Sequence, residues 1–172
     1  MDRLAWQWEC VSRTEGVVLN VGSKEDPARL KASFGARVLN CDILETDFDM
    51  GGSIAIDIVM DATKTWPFED NSAELVVMCE ILEHLSRSEA TRALTEASRV
   101  AQKLCVTIPC DDQLTNWRSV DEATLPPVPR EHLFGWDREL IELVMKESSW
   151  NIKELFQDEE RREAYSIWAI RA

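Results

Sequence analysis

Residues 56–85, IDIVMDATKTWPFEDNSAELVVMCEILEHL, constrain what this chain can fold into more than any other stretch. An apolar strand runs into a short acidic turn, a polar loop with a proline follows, a second apolar strand comes next, and Glu80 and His84 stand where that strand finishes. Apolar strands with polar residues gathered at their ends are how an open α/β domain builds a ligand crevice. The segment therefore marks a binding edge.

The flanking sequence supplies the rest of such a domain. Residues 16–22 (GVVLNVG) are an apolar, β-branched run between glycines, too short for a helix, and read as a buried strand. Asp26 then caps a helix that starts at Pro27 and stops at Gly35, because proline suits the first helical position and glycine the left-handed end. A second strand at 37–42 (RVLNCD) closes a right-handed parallel βαβ unit. Residues 54–60 and 74–79 read as the third and fourth strands. Ser86 and Glu89 have capping-box spacing, and Ala90, Ala93, Leu94, Ala97, Val100 and Ala101 share the buried face of the helix that follows. A fifth strand at 103–108 stops at Pro109, which has no N–H for a ladder. Residues 110–135, with Pro126, Pro127 and Pro129, read as a loop or lid. Asp137 caps a helix that buries Leu140, Ile141, Val144 and Met145. Residues 150–156 and 164–170 then close the sheet as an antiparallel hairpin, since the ~7 residues between them are too few for a helical crossover. This alternation predicts an α/β three-layer sandwich with a mostly parallel sheet. With 172 residues and no Gly/Ser or Pro-rich linker, residues 1–172 read as one domain.

Charge and cysteines restrict the partners. Nineteen Lys and Arg against 32 Asp and Glu give a net charge of −13, which repels phosphate backbones and anionic lipid. Cys10, Cys41, Cys79, Cys105 and Cys110 are odd in number and show no C-x-x-C spacing, so neither a disulfide framework nor a zinc site is expected, and no metal is assigned. Free thiols and the lack of any ~18-residue apolar window predict a cytoplasmic protein that binds neither nucleic acid nor membrane. Trp6 and Trp8, in an N-terminal cap segment at 1–15, are expected to pack over the sheet or the ligand mouth.

The turn after the first strand selects the ligand. A pyrophosphate requires several glycines for close backbone approach, whereas Gly22 here is followed by Ser23, Lys24, Glu25 and Asp26. Two carboxylates where a phosphate would lie argue against a nicotinamide-dependent oxidoreductase. Asp42 lies about twenty residues beyond Gly22, the spacing at which a carboxylate accepts ribose hydroxyls. A ribose without a pyrophosphate, joined to an amino-acid tail, fits this edge.

VVLNVGSKEDP, VLNCDI, DATKTWPFEDNSAELVVMCEILEHL, LCVTIP and EHLFGWDRELIELV, in that order across residues 16–170, resemble the motifs of class I S-adenosylmethionine (SAM)-dependent methyltransferases. The resemblance implies a mostly parallel seven-stranded Rossmann-like sheet with the last strand antiparallel. It also implies SAM at the carboxyl ends of the strands, S-adenosylhomocysteine as product, and methyl transfer to an O, N or C atom of a small or modest-sized acceptor. Carried over by position, Asn20, Val21, Gly22, Ser23 and Lys24 would surround the methionine part and Asp42 the ribose, with Ile43 beside it in the cofactor set. Asp61 and Ala62 would meet the adenine, and Cys79 and Glu80 the region beside the sulfonium. The chain departs from the family at Asn20, where an acidic residue is usual, and in G-S-K-E-D, where two or three glycines are usual. Lost glycines restrict backbone approach to the ligand, so a SAM-binding regulatory or scaffold protein without turnover is the alternative. Should the acceptor be a hydroxyl, Glu80, His84 and His132 are the candidate bases. His84, four residues after Glu80, would share a face with it on a helix. The acceptor site would come from segments 1–15 and 110–135, which either take an open, extended acceptor or complete the pocket by homodimerising.

Overall fold

Alternation along the strands decides which layer each side chain joins. In the computed structural model, which describes residues 3–22, 27–43, 46–47, 54–109, 122–125, 132, 135–157 and 164–172, the central strands send successive residues to opposite faces. These strands are β1 (Val18–Val21), β2 (Val38–Asp42), β5 (Ile58–Val59), β6 (Leu75–Cys79), β7 (Lys103–Pro109), β8 (Trp150–Gln157) and β9 (Ala164–Arg171). A two-stranded ribbon, β3 (Thr46–Asp47) with β4 (Ile54–Ala55), stands apart from them. The helices are α1 (Arg3–Ser12), α2 (Pro27–Phe34), α3 (Arg87–Val100) and α4 (Arg138–Glu147).

Val76, Met78, Leu104, Val106, Ile108 and Ile167 point to one face, where Ala90, Ala93, Leu94 and Ala97 of α3 and Leu140, Ile141 and Val144 of α4 cover them. Val18, Val38, Leu75, Val77, Cys105 and Trp168 point to the other, beneath Trp6, Cys10 and Val11 of α1 and Leu30 of α2. The result is the expected three-layer sandwich. The sheet runs β5-β2-β1-β6-β7-β9-β8. Its pairs from β5 through β7 are parallel, and β9 lies antiparallel between β7 and β8, as the class I resemblance implies.

Local signals act as read. Ser86 Oγ accepts the Glu89 N–H while Glu89 Oε2 accepts the Ser86 N–H, at 3.3 and 2.9 Å, closing the capping box. Asp137 Oδ1 accepts the Leu140 N–H at 2.7 Å. Gly35 ends α2 at φ +71°, with nothing near an added Cβ, so its role there is conformational. The Asp26 cap lies outside the described residues, as does most of segment 110–135.

The expectation of one strand over 54–60 is corrected. The Asp57 carboxylate accepts the Asn40 N–H at 2.9 Å while Asp57 N–H donates to Asn40 O at 2.9 Å, and Lys31 Nζ pairs with the same carboxylate. This clasp occupies the outer edge of β2, so the ladder begins only at Ile58. Ile54–Ala55 instead pairs with Thr46–Asp47. The fifth strand also extends one residue further than expected, to Pro109, which faces Ala164. The N-terminal segment is helical, with Trp6 only 1% exposed in the layer over the sheet and its ring 5.4 Å from Phe156. Trp8 remains 37% exposed, 4.8 Å from Phe34. Among the described residues, no helix is long and apolar enough to cross a membrane.

Candidate active site

Between β1 and β6 the chain reverses its direction of travel across the sheet, since β1 leads outward to β2 and β6 leads the other way to β7. At such a switch point the connections diverge and leave a crevice at the carboxyl ends of the strands. Gly22 directly follows β1 at this edge. At φ +68° it lies in the left-handed region, its N–H donates to Cys41 O at 2.9 Å, and a Cβ there would stand 2.8 Å from Ile81 Cδ1. Glycine is therefore required twice, once for the backbone and once for the contact.

Ile81 reaches Gly22 because the chain bends at Glu80, whose φ is +56°. A glutamate in this region is strained, and the strain persists where the surroundings over-determine it, often at functional sites. Here Glu80 N–H donates to Thr107 O at 3.1 Å and Glu80 Oε1 accepts Thr107 Oγ1–H at 2.9 Å, so β7 fixes both backbone and carboxylate. Cys79, half-buried, ends β6 just before it.

The other residues named from sequence fall along the same edge. Asn20 and Val21 end β1 and are buried. The Asn20 side chain is held from two sides, accepting from Gln7 Nε2 at 3.4 Å and donating to Asn40 Oδ1 at 3.1 Å. Asp42 and Ile43 are half-buried at the end of β2, where Asp42 O accepts the Met60 N–H at 2.7 Å. Asp61 Oδ1 accepts the Thr63 N–H at 2.8 Å and the Thr63 Oγ1–H at 2.7 Å, an Asx-type turn that shapes the strand end. Ala62 O accepts Trp66 Nε1–H at 3.0 Å. Ser23 and Lys24 lie outside the described residues.

The polar loop after Asp61 is clamped to α3. Arg99 donates to Phe68 O at 2.7 Å, Trp66 O at 3.1 Å and Asp70 Oδ1 at 2.9 Å, and pairs with Glu96 Oε2 at 2.7 Å. Glu96 Oε2 also accepts the Trp66 N–H at 2.8 Å. The Arg99 hydrogen bond holds the Glu96 carboxyl below its usual range. On the thiol side, burial together with Asp57 and Asp42 pushes Cys41 up to about 12. Burial likewise raises Cys105, so these thiols stay protonated and chemically quiet.

The segment after Glu80 departs from the helical spacing assumed for His84. Leu82–His84 forms a 3-10 turn beginning at Ile81, with Leu82 and Glu83 turned inward. His84 Nε2 consequently lies 3.7 Å from Glu83 Oε1. His132 Nε2 lies 3.6 Å from the same oxygen, and the two imidazole rings stack edge to face at 4.7 Å. The structure thus brings His84 and His132 together, and sequence reading missed the residue that joins them, Glu83, which is 0% exposed. Its signal was a carboxylate inside the apolar stretch ILEHL.

A family model described as "Methyltransferase domain" matches residues 19–105. A crystal structure of a Pyrococcus horikoshii OT3 protein superposes over 100% of this chain and 92% of its own, with a TM-score of 0.68 at 15% identity. The 1,6-didemethyltoxoflavin-N1-methyltransferase of Burkholderia thailandensis, solved with 1,6-didemethyltoxoflavin and S-adenosylhomocysteine, gives 0.69 at 11% identity, covering 99% of this chain and 78% of its own. Magnesium protoporphyrin IX methyltransferase of Synechocystis PCC 6803, solved with SAM, gives 0.64 at 13% identity, with 98% and 76% covered. Identities this low establish the fold alone. No curated protein matches the chain.

Proposed function

The chain belongs to the methyltransferase domain family, and on that premise we propose that it binds SAM at the carboxyl ends of β1, β2 and β6 and transfers its methyl group to an O, N or C atom of a small acceptor. The observation that carries this reading is the close approach of Ile81 to Gly22 at the switch point, where a left-handed glycine lies against the residue that follows the positive-φ Glu80, inside the matched family segment. Two neighbours of the same fold solved with SAM or its product support the cofactor.

In this reading Asn20 to Lys24 surround the methionine part, Asp42 and Ile43 the ribose, Asp61 and Ala62 the adenine, and Cys79 and Glu80 the sulfonium. The sulfonium is already activated, so the protein's task is in-line placement of a nucleophile in a water-poor pocket. Glu80, His84 and His132 are the groups that would take a proton from a hydroxyl acceptor. Residues 1–172 act as one domain, and the acidic surface disfavours nucleic acid and anionic lipid as partners.

A second reading, SAM binding without turnover, is favoured by one observation. Asn20 stands where the family usually carries an acid, and its amide is occupied by Gln7 and Asn40. Calorimetry with S-adenosylhomocysteine tests what both readings share. A screen of hydroxyl, amine and carbon acceptors with methyl-labelled SAM separates them: label transfer supports the enzyme, and tight binding with no transfer to any acceptor supports the second reading.

A further inference from the structure

The Glu83, His84 and His132 cluster goes beyond cofactor binding. Their three donor atoms lie within 4.8 Å of one another. Glu83 Oε1 is 3.7 Å from His84 Nε2 and 3.6 Å from His132 Nε2, too long for hydrogen bonds. Ligands at the usual ~2.1 Å from a divalent ion stand about 3.0–3.4 Å apart, so these separations are close to those of a shared ion. Two imidazoles and one carboxylate form a donor set that suits divalent transition metals and leaves coordination positions open.

Burial and access point the same way. Glu83 has no solvent exposure, and a charge held there carries a desolvation cost that a cation between it and the imidazoles offsets. The His84 and His132 side chains are 29% and 44% exposed, which leaves an outer side from which an ion and a ligand can enter. The cluster is also near the proposed reaction. Glu83 follows the strained Glu80 by at most ~11 Å of chain, and His84 N–H donates back to Ile81 O at 3.2 Å, Ile81 being the residue that contacts Gly22.

We propose that Glu83, His84 and His132 bind a divalent transition-metal ion whose open positions hold the hydroxyl oxygen of the methyl acceptor. The inference rests on the methyl-transfer reading for its substrate class and on the cluster geometry for the ion. A hydroxyl bound to the ion releases its proton to water more readily than a free one, so with the ion present His84 and His132 act as its ligands and no longer as proton acceptors. The oxygen lone pair then forms the O–CH3 bond while the S–CH3 bonding pair returns to sulfur, leaving S-adenosylhomocysteine.

Cobalt(II) titration of the full chain, followed by its visible absorption and by calorimetry, tests the site without turnover. The expected result is one saturable Co2+ per chain, with affinity reduced tenfold or more in His132→Ala, a half-exposed residue whose loss leaves the core intact, and in Glu83→Gln. S-adenosylhomocysteine binding should stay unchanged in His132→Ala. Absence of saturable Co2+ binding, or equal affinity in wild type and His132→Ala, overturns the site. If Co2+ binds as expected while S-adenosylhomocysteine does not, the ion site stands and the cofactor reading fails instead. With both bound, methyl transfer to a hydroxyl acceptor that Mn2+ stimulates supports the assigned acceptor class, and transfer indifferent to Mn2+ and to His132→Ala overturns it.

Discussion

Gly22 is the residue on which the cofactor site turns. Alanine in the left-handed region costs roughly 1–2 kcal/mol, and the added methyl meets Ile81 at 2.8 Å. Gly22→Ala is therefore expected to lower the thermal midpoint modestly and to weaken S-adenosylhomocysteine binding by about tenfold or more, the equivalent of ~1.4 kcal/mol. Calorimetry on the folded variant checks it, and unchanged affinity would show that the turn does not touch the ligand. Legibility at this scale followed chemistry. Gly22 stood out because a strand ended on it, and the Asx turn at Asp61 was a foreseeable use of that side chain. Glu83 was hidden because a Glu-His pair in sequence looks like a solvated helix face. Only the 3-10 turn, which no periodicity announces, folds it inward.

Among the elements, α3 gives the cleanest test. Its capping box satisfies two of the N–H groups that a helix start leaves open. Ser86→Ala should destabilise the fold by about 1 kcal/mol, measured by urea unfolding, with S-adenosylhomocysteine affinity kept. Arg99 at the other end of the helix holds the 66–70 loop by three hydrogen bonds, to Trp66 O, Phe68 O and Asp70 Oδ1, and is itself braced by Glu96 of the same helix. Its replacement by Ala should increase proteolysis of that loop before global unfolding, and an unaltered cleavage pattern would contradict the clamp. The strands that periodicity specified, at 18–21, 38–42, 75–79 and 103–109, appear within a residue or two of expectation. The stretch 54–60 does not, because one carboxylate, Asp57, takes the N–H of Asn40 and breaks an apolar run that alternation alone reads as continuous.

At the level of the whole molecule, alternation of strands and helices was enough to specify layers and direction, and the short 157–163 connection was enough to specify the closing hairpin. What pairs across the sheet from afar was not legible, including the Gln7–Asn20–Asn40 chain beneath α1. Acid stability follows from distant pairs of the same kind. Glu74 is held below the ordinary carboxylate range, first by the Lys103 hydrogen bond and then by the Gly16 N–H. For Asp57, burial pushes upward, and Lys31 with the Asn40 N–H outweighs it so that the net shift is downward. A carboxylate lowered in the folded state stabilises above its unfolded pKa, and that contribution is lost as pH falls through the folded value. Thermal midpoints should hold steady from neutral pH to about pH 5 and decline below ~4.3, with a shallower decline in Glu74→Gln. An equal slope in the variant would remove Glu74 from the account.

Titration of the full chain with S-adenosylhomocysteine in a calorimeter bears most directly on all of this. The switch-point crevice predicts saturable binding at one site per chain, weakened in Gly22→Ala and unaffected in Ser86→Ala. A flat thermogram from folded protein would contradict it.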